Sequence, residues 1–247
     1  MSIGLFHKKV KVNMRTQTIS FPERQVLCVI PDKLEDLAEA IAGMGLENSH
    51  PVIVLLGGDI QAPQATATEQ VIITLAKIAE DMKALVICGG VDTGVMAKIG
   101  QVRSKNQYQF PLVGITLEDL VSWPGGPRST KLLWWGTKRW QLEPHYSHFI
   151  LVPGSEPGDE SPWVVEAATI LSKGHPSVTI LINGGELSRK DIELSIEHGR
   201  PVVALGGTGQ LANDLAMEPD RNKLITVVPV HDESRLSKSI RAALSVQ

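Results

Sequence analysis

The sequence predicts a doubly wound α/β fold, a mostly parallel sheet with helices on both faces. Three observations carry that prediction. Short runs such as "PVIVLLGG" and "ALVICGG" are apolar throughout rather than alternating, the mark of strands buried on both faces. Each such run is followed by a turn and then a stretch with helical spacing, so strand and helix alternate along the chain. Four of the strands end in Gly-Gly, a chemistry suited to the carboxyl edge of a parallel sheet, where ligands bind.

The elements follow in order. Residues 9–21, "KVKVNMRTQTISF", alternate like a half-exposed strand or hairpin at a sheet edge. "QVLCVIP" (25–31) is a strand, and the helix after it has Asp32 as its expected N-cap and Gly45 as its stop. Strand 51–58 leads to an amphipathic helix at 67–82, strand 84–90 to helix 93–104, and 111–116 is a further strand. The stretch 117–147 has no clear period and holds four of the five tryptophans, so it reads as an insert. Regularity returns with strand 148–154 and helix 162–173, strand 177–185 and helix 188–198, strand 201–207 and a short helix at 208–217. Strand 224–230 and a last helix capped by Asp232 complete the pattern.

Composition excludes several classes. The chain has 247 residues, 43% hydrophobic, with a net charge of −3, which fits a globular core and gives no basic surface for nucleic acid. Two cysteines, Cys28 and Cys88, each lie inside an apolar run and read as core thiols, with no disulfide framework. Metal ligands at regular spacing are absent, so no metal is expected. No run is long enough for a membrane span, and the first residues lack a secretory cleavage pattern. The expectation is a soluble, cytoplasmic protein.

The glycine loops raise the functional question. "VLLGGD", "VICGGVDTG", "LINGGE" and "VALGGTG" place Gly57, Gly58 and Asp59, then Gly89, Gly90, Asp92, Thr93 and Gly94, then Gly184 and Gly185, then Gly207, Thr208 and Gly209 at one edge. Glycine lets a backbone approach a ligand and tolerates positive φ, and the N-terminus of the following helix suits phosphate. Two readings compete: tight strand-to-helix turns, or a cradle for a phosphate-bearing nucleotide. On the second, phosphates sit on Gly89–Gly94 and Gly207–Gly209, Asp59 takes a ribose hydroxyl, and Gly90→Glu abolishes binding without unfolding the sheet. None of the loops is a Walker loop or G-x-G-x-x-G.

"ALVICGGVDTGVMAKIG", "HYSHFILVPGS" followed by Glu166, "TILINGG" and "GRPVVALGGTGQLANDLA", in that order, resemble the SLOG-type domain at the cytosolic N-terminus of TRPM cation channels and its free-standing prokaryotic relatives. The resemblance runs from about Pro51 to Met217. It implies a Rossmann-like domain, placed with the strand–helix pattern at 25–247; the pattern itself sets the insert at about 117–147 and an N-terminal edge strand or hairpin segment at 1–24. It also implies binding and sensing of NAD-derived nucleotides such as ADP-ribose, with NAD or a cyclic derivative as related ligands and no required cofactor. Gly154, Ser155, Glu166 and Gln210 join the binding set through it. The wider superfamily includes the LOG phosphoribohydrolases, and the alternative reading is an N-glycosidic hydrolase with Glu166 as its acid. Where LOG enzymes carry Pro-Gly-Gly-x-Gly-Thr-x-x-Glu, this chain reads "PGSEPGDESPWVVE", and where TRPM channels often place arginine and aspartate after Gly-Thr-Gly it has Gln210 and Asn213.

The remaining features carry two readings each. Trp123, Trp134, Trp135 and Trp140 lie among Arg128, Lys131, Lys138 and Arg139, which suits either a flap that stacks on a base or a loop anchored by aromatics, including a contact between copies in a homo-oligomer. His148 reads as a structural core residue and His145 as a loop residue. No nucleophile elbow is present.

Overall fold

A computed structural model describes residues 14–46, 50–59, 64–126, 139–218 and 222–245. Nine strands form one sheet in the order β1-β2-β8-β5-β4-β3-β9-β10-β11. These are β1 Met14–Phe21, β2 Arg24–Pro31, β3 Val52–Gly57, β4 Leu85–Cys88, β5 Leu112–Leu117, β8 His148–Val152, β9 Ser177–Ile182, β10 Val202–Gly206 and β11 Ile225–Pro229. Only β1 runs antiparallel, as a hairpin with β2 at the sheet edge, paired from Met14↔Pro31 to Phe21↔Arg24. The helices are α1 Leu37–Ala42, α2 Ala65–Asp81, α3 Gly94–Lys105, α4 Ser161–Leu171, α5 Glu186–Glu197, α6 Gln210–Met217 and α7 Glu233–Ala243.

Each central strand divides its side chains between two cores, because successive residues point to opposite faces. Ile53 and Leu55 of β3 join Val86 and Phe149 beneath α2, α3 and α7. Val52, Val54 and Leu56 join Ile87 and Ile115 beneath α1, α4, α5 and α6. Full burial on both faces is why these strands are apolar without a break.

The chain leaves β3 toward β4, β5 and β8 in one direction, then returns to lay β9, β10 and β11 on the other side of β3. The β3–β9 boundary is therefore the topological switch point, where a crevice opens beyond the strand ends.

Three local expectations are corrected. Asp32 caps nothing: a 3-10 turn at Leu34–Asp36 precedes α1, and neither element has a side-chain cap. Burial of Leu37, Ala40 and Ile41 sets the register of that short helix instead. The helix after Gly-Thr-Gly starts at Gln210 rather than 208, because Gly209 has φ +113° and breaks the approach. The insert at 117–147 is partly ordered by a ladder between β6 (Val121–Ser122) and β7 (Trp140–Gln141). Arg128, Lys131, Trp134, Trp135 and Lys138 lie outside the described residues. Asp232 caps α7 as expected, accepting from Arg235 N at 3.0 Å.

Candidate functional site

The crevice is a cleft of about 520 Å³ over the carboxyl ends of β3, β4 and β5. Its floor is Gly57, Gly58 and Asp59 from β3, Cys88 and Gly89 from β4, and Ile115, Thr116 and Leu117 from β5. One wall is the first turn of α5, Gly185 to Ser188, with Asp191 behind it; the other combines Leu120, Trp140 and the Thr93–Met96 end of α3. Glu160, at the N-cap position of α4, and Val164 within the helix also face in. They are four residues apart, so they share one side of the helix.

The strand-end loops are stitched to each other. Thr93 occupies the N-cap position of α3, but its hydroxyl donates to Asp59 Oδ1 at 2.7 Å rather than capping the helix. Asn183 Nδ2 donates to Asp59 O at 3.0 Å. Val95 N donates to Gly58 O at 3.3 Å, and Asp92 N to Gln141 O at 2.8 Å. The amino end of α3 thus spends N–H groups on the protein itself.

The same is true of α6. Leu211 N and Ala212 N donate to Gly184 O and Asn183 O, each at 3.0 Å. Gly207 N and Gly209 N donate to Asn213 Oδ1 at 2.7 and 3.3 Å. Thr208 is buried, with its hydroxyl donating to Leu205 O at 2.6 Å and accepting from Asn183 N at 2.8 Å. At α5, Gly185 stands at the N-cap position, also without a side-chain cap, and the first turn forms the cleft wall.

Of the residues singled out in the sequence, Gly57, Gly58, Asp59, Gly89, Thr93 and Gly185 come together in the cleft. The other predicted ligand-binding residues do not line it. Gly90, at φ +71°, and Gly94 serve packing: a Cβ on Gly90 would lie 2.8 Å from Gly114 Cα and 3.0 Å from Phe149, and one on Gly94 would collide with Gly58 O. Gly90→Glu would therefore strain the core, contrary to the expectation of a clean binding mutant; Gly58, with open space where a Cβ would go, is the better probe. Asp92 faces a separate recess beside Phe21 and Trp123. Gly184 packs on Leu181 and Ser188, and Gln210 reaches toward Gly185. Gly154 packs on Asp159 and Leu117, and Ser155 N donates to Asp159 Oδ2 at 2.9 Å. Glu166, on α4, is not among the cleft-lining residues, nor are Gly207, Thr208 and Gly209.

Sequence reasoning missed Glu160, Asp191 and Glu186 as cleft residues, while Trp140, one of the tryptophans read as a flap, does line the cleft. Glu186 directly follows a Gly-Gly and was legible there; Asp191 carried no local signal. Burial pushes the Asp191 carboxyl up to about 6, with Glu160 adding to the rise, while the Ser161 hydroxyl and Lys190 draw it down. Lys190 Nζ donates to Gly158 O at 3.1 Å, and Gly158 N donates to Glu160 Oε2 at 2.8 Å. Among the described residues lining the cleft, four are carboxylates and none is Lys, Arg or His.

Both cysteines are buried free thiols. Burial pushes both thiols up to about 12, and Cys88 Sγ lies 2.7 Å from Tyr146 Oη. His148 stands at the opposite end of its strand; burial, with Arg103 and Arg24 nearby, pulls it down to about 4. No group of three or more potential metal ligands occurs among the described residues, and no described helix is long and apolar enough to cross a membrane.

A family model described as "SLOG in TRPM, prokaryote" matches residues 50–242. Among solved structures, the molybdenum cofactor binding protein of the phototrophic bacterium Rippkaea orientalis is similar at 16% identity and TM-score 0.51, covering 78% of this chain and 98% of that one. The structural-genomics target TM1055 is similar at 17% identity and TM-score 0.50, covering 76% of this chain and 99% of that one. At these identities the likeness is one of fold. No curated protein matches the chain significantly.

Proposed function

This chain belongs to the prokaryotic SLOG-in-TRPM family, and we propose that it is a sensor that binds an NAD-derived nucleotide, such as ADP-ribose or NAD, in the switch-point cleft. The observation that carries the reading is the cleft itself: glycine backbone at Gly58, an acidic acceptor at Asp59 and an uncapped helix start at Gly185 meet around one apolar-walled space. Phosphate is placed on the first turn of α5, since helix N-termini favour anions. Asp59 and Glu160 are suited to accept from ribose hydroxyls. Leu120, Leu187, Val164 and Trp140 supply flat apolar surface for a base.

A sensing role is preferred to hydrolysis because Glu166, the acid of the alternative, does not line the cleft. Binding would act by ordering the loops around the cleft.

Thermal unfolding against ADP-ribose, NAD, cyclic ADP-ribose, AMP and ATP tests the reading. A ligand at 100 times its Kd stabilises by about 2.7 kcal/mol. Gly58→Glu, which enters open space in the cleft, should fold normally and lose the shift. Absence of a shift with every nucleotide, or a full shift in Gly58→Glu, rejects the site. Recovery of cleaved ligand by mass spectrometry rejects the sensor in favour of an enzyme.

A further inference from the structure

We propose that the recess beside Phe21 and Trp123 is a second small-molecule site, and that it takes a compact organic cation: a protonated amine carried on a flat apolar body. The recess measures about 430 Å³, within the range of about 300–1,000 Å³ usual for small-ligand sites. It does not depend on the nucleotide reading of the cleft.

The recess is separated from the cleft by a wall to which three segments contribute. Thr93 faces the cleft and Asp92 the recess; Trp140 faces the cleft and Gln141 the recess; Leu120 faces the cleft and Ser122 the recess. The wall is closed by hydrogen bonds. Asp92 N donates to Gln141 O at 2.8 Å and Leu142 N to Ser122 O at 3.0 Å. The β6–β7 ladder and a bridge between Val91 and Leu142 complete it. The two cavities are therefore distinct.

The far sides of the recess are set before any ligand arrives. Phe21 is buried and packs on Phe149 with ring centroids 6.3 Å apart. Trp123 packs against the same core, and Gly126 comes so close to the indole that a Cβ there would lie 2.6 Å from Cε2. Pro22, Pro124 and Pro144 supply stiff backbone between these rings. Such a site has little to order on binding, and its rings offer flat apolar surface.

Charge decides the class of ligand. Of the described residues lining the recess, Asp92 alone is ionisable. Its side chain is exposed, and no ion pair engages it among the described residues. The cations close by are committed to backbone: Arg24 Nη1 donates to His145 O at 3.0 Å, and Arg139 Nη1 to Val121 O at 3.1 Å. An anion would meet an uncompensated carboxylate. A neutral apolar body would desolvate that carboxylate without giving it a partner. An ammonium group answers it, and Ser122 Oγ and the Gln141 side-chain carbonyl are acceptors for the remaining N–H groups.

The experiment is calorimetric titration of the full chain, without nucleotide, at pH 7.5 with tryptamine and with tryptophol, which keeps the shape and replaces the ammonium by a hydroxyl. Tryptamine should bind about fivefold tighter, the upper end for an ion pair open to solvent. Asp92→Asn should melt like wild type, because the side chain it changes is exposed, and should bring the two affinities together. Hydrogen exchange locates the probe: bound tryptamine should slow the Asp92 and Leu142 amides of the shared wall. The wild-type comparison of amine with alcohol needs no variant. Absence of tryptamine binding in the millimolar range, equal affinity for the two probes, or an unchanged ratio in Asp92→Asn overturns the proposal. Protection confined to Gly185–Ser188 also overturns it, since the amine would then lie in the acidic cleft. None of these results bears on the nucleotide reading, which stands or falls on the nucleotide panel and Gly58→Glu.

Discussion

Gly90→Ala is expected to destabilise the fold without bearing on the ligand directly, and Gly58→Ala the reverse. Gly90 has φ +71°, where an L side chain pays roughly 1–2 kcal/mol. The new methyl would sit 2.8 Å from Gly114 Cα and 3.0 Å from Phe149 Cε1. Neither neighbour yields easily. Gly114 is backbone in β5, and Phe149 is fully buried and stacked on Tyr146 with ring centroids 5.5 Å apart. Overpacking of this kind costs about 1–3 kcal/mol. The total is about 2–5 kcal/mol, which at this chain length lowers Tm by about 4–20 °C. At Gly58 nothing lies within 4 Å of the added carbon and φ is not in the left-handed region, so stability should change by less than about 0.5 kcal/mol. Urea denaturation of the two variants beside wild type measures both. A Gly90→Ala protein as stable as wild type would refute the claim that this glycine serves packing, and a strongly destabilised Gly58→Ala would remove the basis for using it as a ligand probe.

Two further outcomes follow from the same geometry. His148 is held at about 4 in the folded chain against about 6.5 unfolded. A depressed histidine contributes stability above 6.5 that is lost as pH falls toward 4, here at most about 3 kcal/mol. His148→Gln should flatten that loss in pH-dependent denaturation; Asp191, raised to about 6, acts in the opposite sense over an overlapping window and is common to both proteins. An unchanged acid slope would show that His148 is solvated. Asn213→Ala removes the acceptor for Gly207 N and Gly209 N and should cost about 1–2 kcal/mol, whereas Asn213→Asp retains it and should not; equal loss in both would assign the effect to packing.

The sheet was legible because its signal is redundant. Every central strand is apolar on both faces and every helix returns it to the same edge, so errors at single residues, such as Asp32 read as a cap, leave the topology unchanged. The site was legible only in part. Gly58, Asp59 and Thr93 could be named because they follow a strand directly, and the register of a parallel sheet delivers strand ends to one place. Glu160 and Asp191 could not, because they reach the cleft from α4 and α5, on elements whose approach depends on how two helices pack across β3 and β9.

What the sequence alone could not separate is why a glycine is there. Four Gly-Gly loops look alike on the page, but the helices behind three of them differ in what occupies their first turn. At α6 the occupants are carbonyls of the β9 loop and the Asn213 side chain. At α3, Gly58 O takes Val95 N. At α3 the missing Cβ of Gly94 lets its backbone approach Gly58 O; in both, oxygens of the chain itself stand where a phosphate oxygen would. Gly207–Gly209 and Gly90–Gly94 thereby fix the β3, β4, β9 and β10 loops to one another around Asp59 and Asn183. That stitching ties the strand-end loops to one another, and the first turn of α5 forms a wall of the cleft beside them, where the proposed ligand would meet it. The tight-turn reading of the glycines therefore holds at α3 and α6, and the ligand-cradle reading is what we propose for the β3 end and the start of α5.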